Sequence, residues 1–324
     1  MLTLRHFRFL NPEWFRNPQS QLELTLRISI VLKEIFILAV TRVLPLITLF
    51  TILSYIIINN LLLSLIIGLI LFFIFELISL EYWYKKVLLP AQQKNIVLIK
   101  NLSLINKNKQ TSELITNIET AARLSAKGIV NIGYIGMAAW GWEIIFKKFF
   151  TFLVKDRNIN YSDLLISTPN ILLESDQKLW EAANEKDDET KQQLLNAFLD
   201  KYGSRVDDMD LANPTLREKT KAVQKLIQLY NGSPQPMDEF KKRQLQYQEF
   251  LTSAGKKLRV SKFLFIKILN KARANVALRE DRRFYEFSCD YYLRKMILEL
   301  GYELNIPETD IFNLTWQKLK NAKN

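Results

Sequence analysis

Two long apolar runs dominate the first quarter of the chain. Residues 43–58 read VLPLITLFTILSYIII without a charge, and residues 61–80 read LLLSLIIGLILFFIFELISL with a single glutamate. A helix needs about 20 apolar residues to cross a bilayer, so the second run is long enough, and both runs together are too long for one straight span. Because Asn59 and Asn60 separate the runs and favour a turn, the pattern predicts a transmembrane helical hairpin.

Basic residues flank the predicted hairpin on both sides, whereas its turn has none. They are Arg27, Lys33 and Arg42 before it and Lys85, Lys86 and Lys94 after it. Positively charged residues stay on the cytoplasmic side of a membrane, so the sequence predicts an integral membrane protein with both termini in the cytoplasm. The aromatic residues at 82–84 are expected at the membrane surface, where the second helix leaves the lipid.

Glu76 lies inside the second apolar run, near its end. An ionisable group there is either an ion or proton site or a partner in snorkelling or a helix–helix hydrogen bond, and its position favours the second interpretation. Residues 1–42 mix apolar and basic side chains, which predicts an interfacial amphipathic segment along the lipid headgroups. The same mixture is compatible with nucleic acid, but the adjacent hairpin favours lipid.

Beyond the hairpin, which occupies residues 43–80, the pattern is helical, and the predicted fold class is all-α. We expect a linker over residues 81–111 and a mostly helical domain over residues 112–324. Residues 95–105 are the one good candidate for a strand. The apolar stretch 129–154 could form a third span, but its late charges shorten it and favour a buried or membrane-adjacent helix.

Composition narrows the possible chemistry. The 324 residues carry a formal net charge of +12, which suits an anionic lipid, a nucleic acid or a phosphorylated ligand. A single cysteine and a single histidine, His6, exclude zinc sites of the usual Cys/His type and a catalytic histidine in the large domain. A glycine-rich phosphate loop is also missing from the sequence. We therefore predict no metal, no cofactor and no catalytic residue in this chain.

Two polar clusters remain as candidate binding sites. The first contains Arg205 and Asp210 between two predicted helices, where carboxylates and arginines could position a metal or a phosphate. Its alternative is a helix connection with capping aspartates. The second contains Arg279 and Glu280, where arginines at near-helical spacing could grip an anion or could pair with neighbouring acids along one helix.

These clusters lie in stretches that resemble a known family. Residues 198–218, FLDKYGSRVDDMDLANPTLRE, resemble the pattern F-x-x-x-YGHRG-x-x-E-x-DL-x-x-PRW-x-E in the middle region of phosphoenolpyruvate synthase-like proteins, notably the rifampin phosphotransferases. Three further stretches resemble other segments of that region, at residues 164–183, 272–304 and 308–319. Their order and spacings agree with the family over residues 161–319.

The resemblance implies a helical, substrate-side domain. Four polar residues match the family pattern and would line or brace the substrate pocket, namely Arg205, Asp210, Arg279 and Glu280. The histidine of the family's YGHRG motif is Ser204 here. In full-length relatives an ATP-grasp domain charges a catalytic histidine on a mobile domain, and the phosphoryl group then passes to the substrate. We expect this chain to lack both of those domains.

The sequence therefore predicts a non-autonomous, membrane-anchored substrate-binding subunit of a split phosphotransferase. Its expected protein partners are ATP-grasp and His-domain chains, and membrane lipid is expected as a further partner. A non-enzymatic membrane scaffold or assembly subunit of a protein complex is the alternative, with the same polar residues capping and pairing helices. A membrane-bound nucleic-acid binder would draw on the net charge of +12 but is the least favoured function.

Overall fold

The structure is a computed structural model that describes residues 20–104, 111–154, 161–165, 168–206, 210–258 and 261–322. These residues form helices and their connections without a β-strand, which confirms the all-α prediction. In chain order the helices are α1 (Gln21–Ile58), α2 (Leu61–Ser103), α3 (Thr111–Leu153), α4 (Tyr161–Leu165), α5 (Ile171–Asn184), α6 (Asp188–Tyr202), α7 (Thr220–Tyr230), α8 (Pro236–Leu258), α9 (Ser261–Glu303), α10 (Glu308–Ile311) and α11 (Trp316–Asn321).

The strand predicted over residues 95–105 is wrong where the structure describes it, because α2 continues to Ser103. Ile96, Ile99 and Leu102 recur every three residues and pack on one hydrophobic core, with Ile99 fully buried. This spacing is typical of one helix face, whereas the β-branched residues around it favour a strand. The described part of the expected linker is therefore helical.

The chain divides into two compact units that do not follow chain order. The first comprises Met1–Ala138, Asp210–Ala212 and Cys289–Asn324, and the second comprises Ala139–Met209 and Asn213–Ser288. Helices α3 and α9 each contribute residues to both units. Each unit therefore draws on segments that are far apart in the sequence.

The first unit is built around one hydrophobic core. Its fully buried side chains come from six helices, and include Leu22, Ile99, Leu114, Leu293, Ile311 and Leu319. Burying each such side chain contributes roughly 1.5–3 kcal/mol to folding. The core therefore joins the beginning of α1 to the last helix of the chain.

The beginning of α1 lies within the segment predicted to be interfacial, residues 1–42, and it belongs to this core. The backbone N–H of Leu22 donates to the carbonyl of Phe312 at 3.2 Å, and the N–H of Trp316 donates to the Thr25 hydroxyl at 2.9 Å. Part of that predicted segment, residues 1–19, lies outside the described residues. The start of α1 is therefore held by protein contacts, whereas Phe36, further along the same predicted segment, is 68% exposed.

A charged cluster lies inside the same core. The guanidinium of Arg27 donates to the Glu23 carboxylate at 2.7 Å, to the Ser125 hydroxyl at 3.1 Å and to Asp290. Ser125 also donates to Asp290, at 3.0 Å. Arg27, expected on the cytoplasmic flank of the hairpin, is thus fully buried and faces two carboxylates.

Helices α1 and α2 form the predicted hairpin. Asn59 ends α1 in the left-handed region with φ of 51°, a conformation that asparagine tolerates better than most residues. Asn60 begins α2, and its side-chain oxygen accepts a hydrogen bond from the Leu63 N–H at 3.0 Å. The turn predicted at these two residues is confirmed. Among the described residues, α1 and α2 are the helices long and apolar enough to cross a membrane.

The two legs of the hairpin lie very close together at Gly68. A Cβ atom at this position would lie 2.5 Å from the Thr51 hydroxyl and 2.8 Å from the Thr51 backbone nitrogen. At the base of the hairpin, Arg42 donates to Glu76 at 3.1 Å, and its guanidinium lies 4.0 Å from the centre of the Trp83 ring. Glu76 therefore pairs between the helices, as its sequence position favours.

Three π-helical turns interrupt these two helices, at Leu24–Ile28, Ala39–Val43 and Tyr84–Leu88. A π turn inserts one extra residue into the helical repeat, so it rotates the side chains that follow relative to those before it. The second and third turns lie at the base of the hairpin, next to Arg42 and Trp83. Helix α1 can therefore present one face to the core and a different face to α2.

The described residues of the second unit include two hydrophobic clusters. In one, Phe265 of α9 is fully buried among aromatic rings of α3 and α8, with centroid distances of 5.7 Å to Phe146 and 6.0 Å to Phe250. In the other, Leu179 of α5 packs with Phe198 of α6. Because Phe146 belongs to the stretch 129–154, the structure places this part of that stretch in a protein core.

Candidate functional site

A cavity of about 550 Å³ opens in the second unit beside α5 and α9, within the usual size range of ligand pockets. The apolar part of its lining includes Ile171, Leu173, Met237, Phe284 and Tyr285. The polar part includes Glu174, Gln177, Lys178, Glu181 and Asp281. The cavity therefore offers apolar and aromatic walls together with a row of polar side chains.

The first turn of α5 is fixed by two side chains, which sets the shape of the cavity. Asn170 caps the helix by accepting a hydrogen bond from the Leu173 N–H at 3.0 Å. The carboxylate of Asp281, on α9, accepts from the Ile171 N–H at 2.8 Å. The free N–H groups at a helix start need such partners, so α5 and α9 are joined at the cavity.

The electrostatics of the cavity disfavour an anionic ligand. Three carboxylates line it against one amine, that of Lys178, which pairs with Glu181 at 2.8 Å. A hydrogen bond from Lys201 holds the pKa of Glu174 below its usual range, against the effect of burial, so this group stays charged at neutral pH. Burial raises the pKa of Asp281. An uncharged or cationic ligand with an apolar body therefore fits this lining best.

A second, smaller cavity of about 70 Å³ shares Ile171 and Phe284 with the first, and it has room for about two waters. Two of the residues predicted from the sequence, Arg205 and Glu280, line it. It is too small for a substrate. The structure therefore brings these two residues together next to the large cavity rather than inside it.

Comparison with family models decides what this part of the chain resembles. Residues 162–280 match the model of the rifampicin phosphotransferase fourth domain. The match is consistent with a helical domain of the phosphoenolpyruvate synthase-like family, as the sequence resemblance predicts. Comparison with curated proteins gave no match, and comparison with solved structures gave none either.

The segment similar to the rifampicin phosphotransferase fourth domain contains most of the lining of both cavities. It includes the α5 side of the large cavity and Met237, and it ends at Glu280. Asp281, Phe284 and Tyr285 follow directly on the same helix. The resemblance to the family beyond residue 280 rests on the sequence motifs alone.

Arg279 lies in a network of ion pairs. It is the third of the predicted site residues, and it belongs to the segment that matches the rifampicin phosphotransferase domain. Its guanidinium is 3.0 Å from a carboxylate oxygen of Glu280 and 3.4 Å from one of Glu143 on α3. Glu280 also lies 3.4 Å from Arg283. Arg279 is absent from the lining of either described cavity. Its contacts correspond to the pairing alternative and would brace α9.

Asp210, the fourth predicted residue, belongs to the first unit and lines neither described cavity. Its carboxylate accepts hydrogen bonds from the Ser20 hydroxyl and from the Ala212 N–H, each at 2.8 Å. Nearby, the buried guanidinium of Arg294 donates to the Leu211 carbonyl at 2.7 Å. These contacts fix the connection between α6 and α7 and tie it to Ser20, just before α1.

The charged residues of α5 that line the cavity are the functional candidates that sequence reasoning missed. Glu174, Lys178 and Glu181 are spaced at four and three residues, which places them on one face of the helix. The sequence does show that α5 is amphipathic, but its polar face cannot be distinguished from an ordinary solvent-exposed face. Only the position of α9 next to α5 shows that this face borders a cavity.

Proposed function

We propose that this chain is a membrane-anchored substrate-binding subunit of a phosphoenolpyruvate synthase-like phosphotransferase. The observation that carries the proposal is the 550 Å³ cavity, which lies next to Arg205 and Glu280. Most of its lining belongs to residues 162–280, which match the rifampicin phosphotransferase fourth domain. In this proposal the chain holds the acceptor substrate. Partner chains with an ATP-grasp domain and a phosphohistidine domain complete the transfer.

The lining of the cavity supports an amphipathic acceptor. Phe284, Tyr285 and Leu173 provide apolar and aromatic surface, while carboxylates such as Glu174 can accept hydrogen bonds from hydroxyl groups. When the phosphoryl acceptor is an alcohol, its reacting hydroxyl carries no charge before the transfer. The excess of carboxylates therefore suits the acceptor and disfavours its phosphorylated product, which would promote release.

The surface of the hairpin supports a membrane anchor. Near its turn, Ile57 and Leu62 are 84% and 70% exposed, whereas Ser54 and Ser64 between the helices are 4% and 0% exposed. Soluble proteins have the opposite arrangement, with apolar side chains inside and polar ones outside. In hydrocarbon, apolar groups face the lipid while small and polar residues pack between helices.

The length of the hairpin and its polar base support the proposed orientation. Residues 43–58 rise roughly 24 Å at 1.5 Å per residue, close to the hydrocarbon thickness of about 30 Å. The Arg42–Glu76 pair and Trp83 would then lie near one membrane surface, and Lys85 on its cytoplasmic side. Both termini would face the cytoplasm.

Affinity purification of the tagged full-length chain in mild detergent, followed by mass spectrometry, tests the partner part of this proposal. We expect an ATP-grasp chain and a phosphohistidine-domain chain to copurify. Recovery of subunits of a membrane complex without an ATP-binding chain would instead support the scaffold. The structural contacts of Asp210 and Arg279 favour that second function.

A cavity-filling variant tests the substrate part, with rifampicin as the probe because the matched family model is named for it. We expect the full-length protein to bind rifampicin, and Leu173→Trp to weaken this binding at least roughly tenfold because the indole occupies the cavity. Leu229→Trp is the matched control, since Leu229 is 72% exposed. Failure of the unmodified chain to bind, or equal binding by Leu173→Trp, would count against this use of the cavity.

A further inference from the structure

The small cavity of about 70 Å³ has a lining unlike that of the large cavity beside it. Its polar side chains are two arginines, two hydroxyl groups and one carboxylate, namely Arg205, Arg283, Ser175, Tyr202 and Glu280. The other side chains of its lining are apolar. Space for about two waters is close to the volume of one phosphate group, so the size and the donors both favour a small oxyanion.

An unpaired hydroxyl group belongs to one of these lining residues. Tyr202 is 1% exposed, and its hydroxyl oxygen is buried without a hydrogen-bond partner among the described residues. Most buried hydroxyl groups in proteins have such a partner. Burial and the nearby Glu174 raise the pKa of Tyr202 to about 12, so the hydroxyl keeps its proton and can donate it to a ligand at neutral pH.

The backbone fixes Arg205 next to Tyr202. Helix α6 ends at Tyr202, and the N–H of Arg205 donates to the Tyr202 carbonyl at 3.3 Å. The carbonyl of Arg205 accepts from the N–H of Leu216 at 2.7 Å. The Tyr202 ring lies 5.9 Å from the ring of Phe284, which directly follows Arg283 on α9. The donors are therefore held in one place before a ligand arrives, which lowers the cost of binding.

The lining of the small cavity carries more positive than negative charge. Its cations are Arg205 and Arg283, and its acid is Glu280. The Glu280 carboxylate is 3.0 Å from Arg279, which lies outside the lining, and 3.4 Å from Arg283. Within the described part of the chain, no ion pair joins Arg205 to an acid. The guanidinium of Arg205 therefore has N–H groups to offer an anion.

Two acids near the cavity oppose the binding of an anion. Glu174 lies close to Tyr202, but it pairs with Lys201 at 2.6 Å. Asp176 lies close to Arg205 and forms a hydrogen bond with Tyr230. Because a guanidinium has five N–H donors, Arg205 can bind an oxyanion while Asp176 stays nearby, although more weakly than it would without this acid.

We propose that the small cavity is a subsite for a single phosphate oxyanion, bound by Arg205, Arg283 and the Tyr202 hydroxyl. Guanidinium groups bind phosphate oxygens through paired N–H donors, and a buried hydroxyl adds one more. The large cavity shares Ile171 and Phe284 with this subsite, so a phosphoryl group bound here lies next to an acceptor bound there. That link to phosphoryl transfer rests on the proposed function, whereas binding of the anion itself does not.

Calorimetric titration of the full-length protein in detergent, with inorganic phosphate in a chloride buffer, tests this subsite. We expect saturable binding of one phosphate per chain. Arg205→Met should weaken it at least roughly tenfold, because charge-assisted hydrogen bonds are lost. Arg217→Met is the matched control and should bind normally, since Arg217 lines neither cavity. Absence of saturable binding, or equal binding by Arg205→Met, would overturn the proposal.

Tyr202→Phe separates ligand binding from folding. The variant keeps the ring, which lies 5.5 Å from the Phe198 ring, and removes a hydroxyl that has no described partner. It should therefore melt no earlier than the unmodified chain, yet bind phosphate roughly fivefold more weakly. Asp176→Asn should bind phosphate more tightly, because an opposing charge is removed. Unchanged phosphate binding by Tyr202→Phe would contradict a ligand in this cavity.

Phenyl phosphate distinguishes a phosphoryl group carried by a larger ligand from free phosphate. We expect it to bind more tightly than inorganic phosphate, and Leu173→Trp, which fills the large cavity, to remove the difference. Equal affinities would keep the subsite but assign it to free phosphate. Phosphate binding without rifampicin binding would count against the proposed function alone, and the reverse result would overturn this subsite alone.

Discussion

Arg42 of α1 and Glu76 of α2 form an ion pair across the hairpin, with 3.1 Å between the guanidinium and the carboxylate. The side chain of Glu76 is 6% exposed and that of Arg42 is 19% exposed, so each charge depends on the other for compensation. Removing one member of such a pair leaves a poorly solvated charge, whereas removing both does not.

The pair should therefore show strong coupling. We expect Arg42→Met to destabilise the purified protein by on the order of 2 kcal/mol. The double variant Arg42→Met with Glu76→Leu should regain part of that loss, since no charge is then left alone. Detergent-solubilised protein unfolded by heat or by a denaturing detergent gives the four stabilities of the cycle. Additive losses would show that the pair contributes no coupling.

Gly68 should tolerate no side chain. A Cβ atom at 2.5 Å from the Thr51 hydroxyl forces the legs of the hairpin apart, because the Thr51 backbone nitrogen is also only 2.8 Å away. We expect Gly68→Ala to cost about 1–3 kcal/mol despite the better helix propensity of alanine. Leu65→Ala on the exposed face is the control and should change stability much less in the same unfolding assay. Equal stability of Gly68→Ala and the unmodified chain would contradict the close approach.

The buried cluster around Arg27 should make stability depend on pH. Burial raises the pKa of Glu23 from its ordinary value of 4.5 to about 7; Arg27 opposes this shift and Asp290 adds to it. The folded state therefore holds this proton more tightly than the unfolded state does. Protonated Glu23 therefore contributes to the stability of the folded state; this contribution is fully present below pH 4.5 and is lost as the pH rises to about 7.

Glu23→Gln replaces the titrating carboxyl group with an amide, so the variant lacks this pH-dependent contribution to stability. We expect the stability difference between the variant and the unmodified chain to change between pH 4.5 and about 7, by on the order of a few kcal/mol, with the unmodified chain losing more. Melting temperatures measured across that range give the difference. Parallel pH profiles for the two proteins would show that Glu23 stays charged in the folded state.

The turn of the hairpin should face away from the cytoplasm. A membrane-impermeant maleimide should label Asn59→Cys in intact cells, and it should label Lys94→Cys only after the membrane is opened. The unmodified chain is the blank, because Cys289 is buried. Labelling of Asn59→Cys only from the cytoplasmic side would invert the proposed orientation.

The sequence predicts features that depend on short stretches of chain. Two adjacent asparagines between apolar runs are enough to predict the turn, because their conformational preferences are local. Glu76 near the end of its run likewise favours a partner on the neighbouring helix. The helical class follows in the same way, apart from residues 95–105, where β-branched side chains mask a helical period.

Features that depend on distant contacts could not be predicted. From the sequence, the helix that carries Leu22 and Arg27 is as compatible with a lipid surface as with a protein core, since both environments accept its apolar side chains. The large cavity depends on Asp281 meeting Ile171, which lies 110 residues away in the sequence. Asp210 and Ser20 are separated by 190 residues, so the motif that contains Asp210 gives no indication of the segment it holds.

Helix α1 runs from Gln21 to Ile58 without a loop, so one continuous helix of roughly 57 Å, with two π-helical turns, links the buried charge cluster to the tip of the hairpin. A flexible tether would let the bilayer and the folded core move independently. A continuous helix transmits tilt along its axis, so in the proposed arrangement a change in bilayer thickness that tilts the hairpin would also act on the helix segment at Arg27. In the proposed membrane-anchored arrangement, the hairpin is therefore mechanically coupled to the core that contains Leu22 and Arg27.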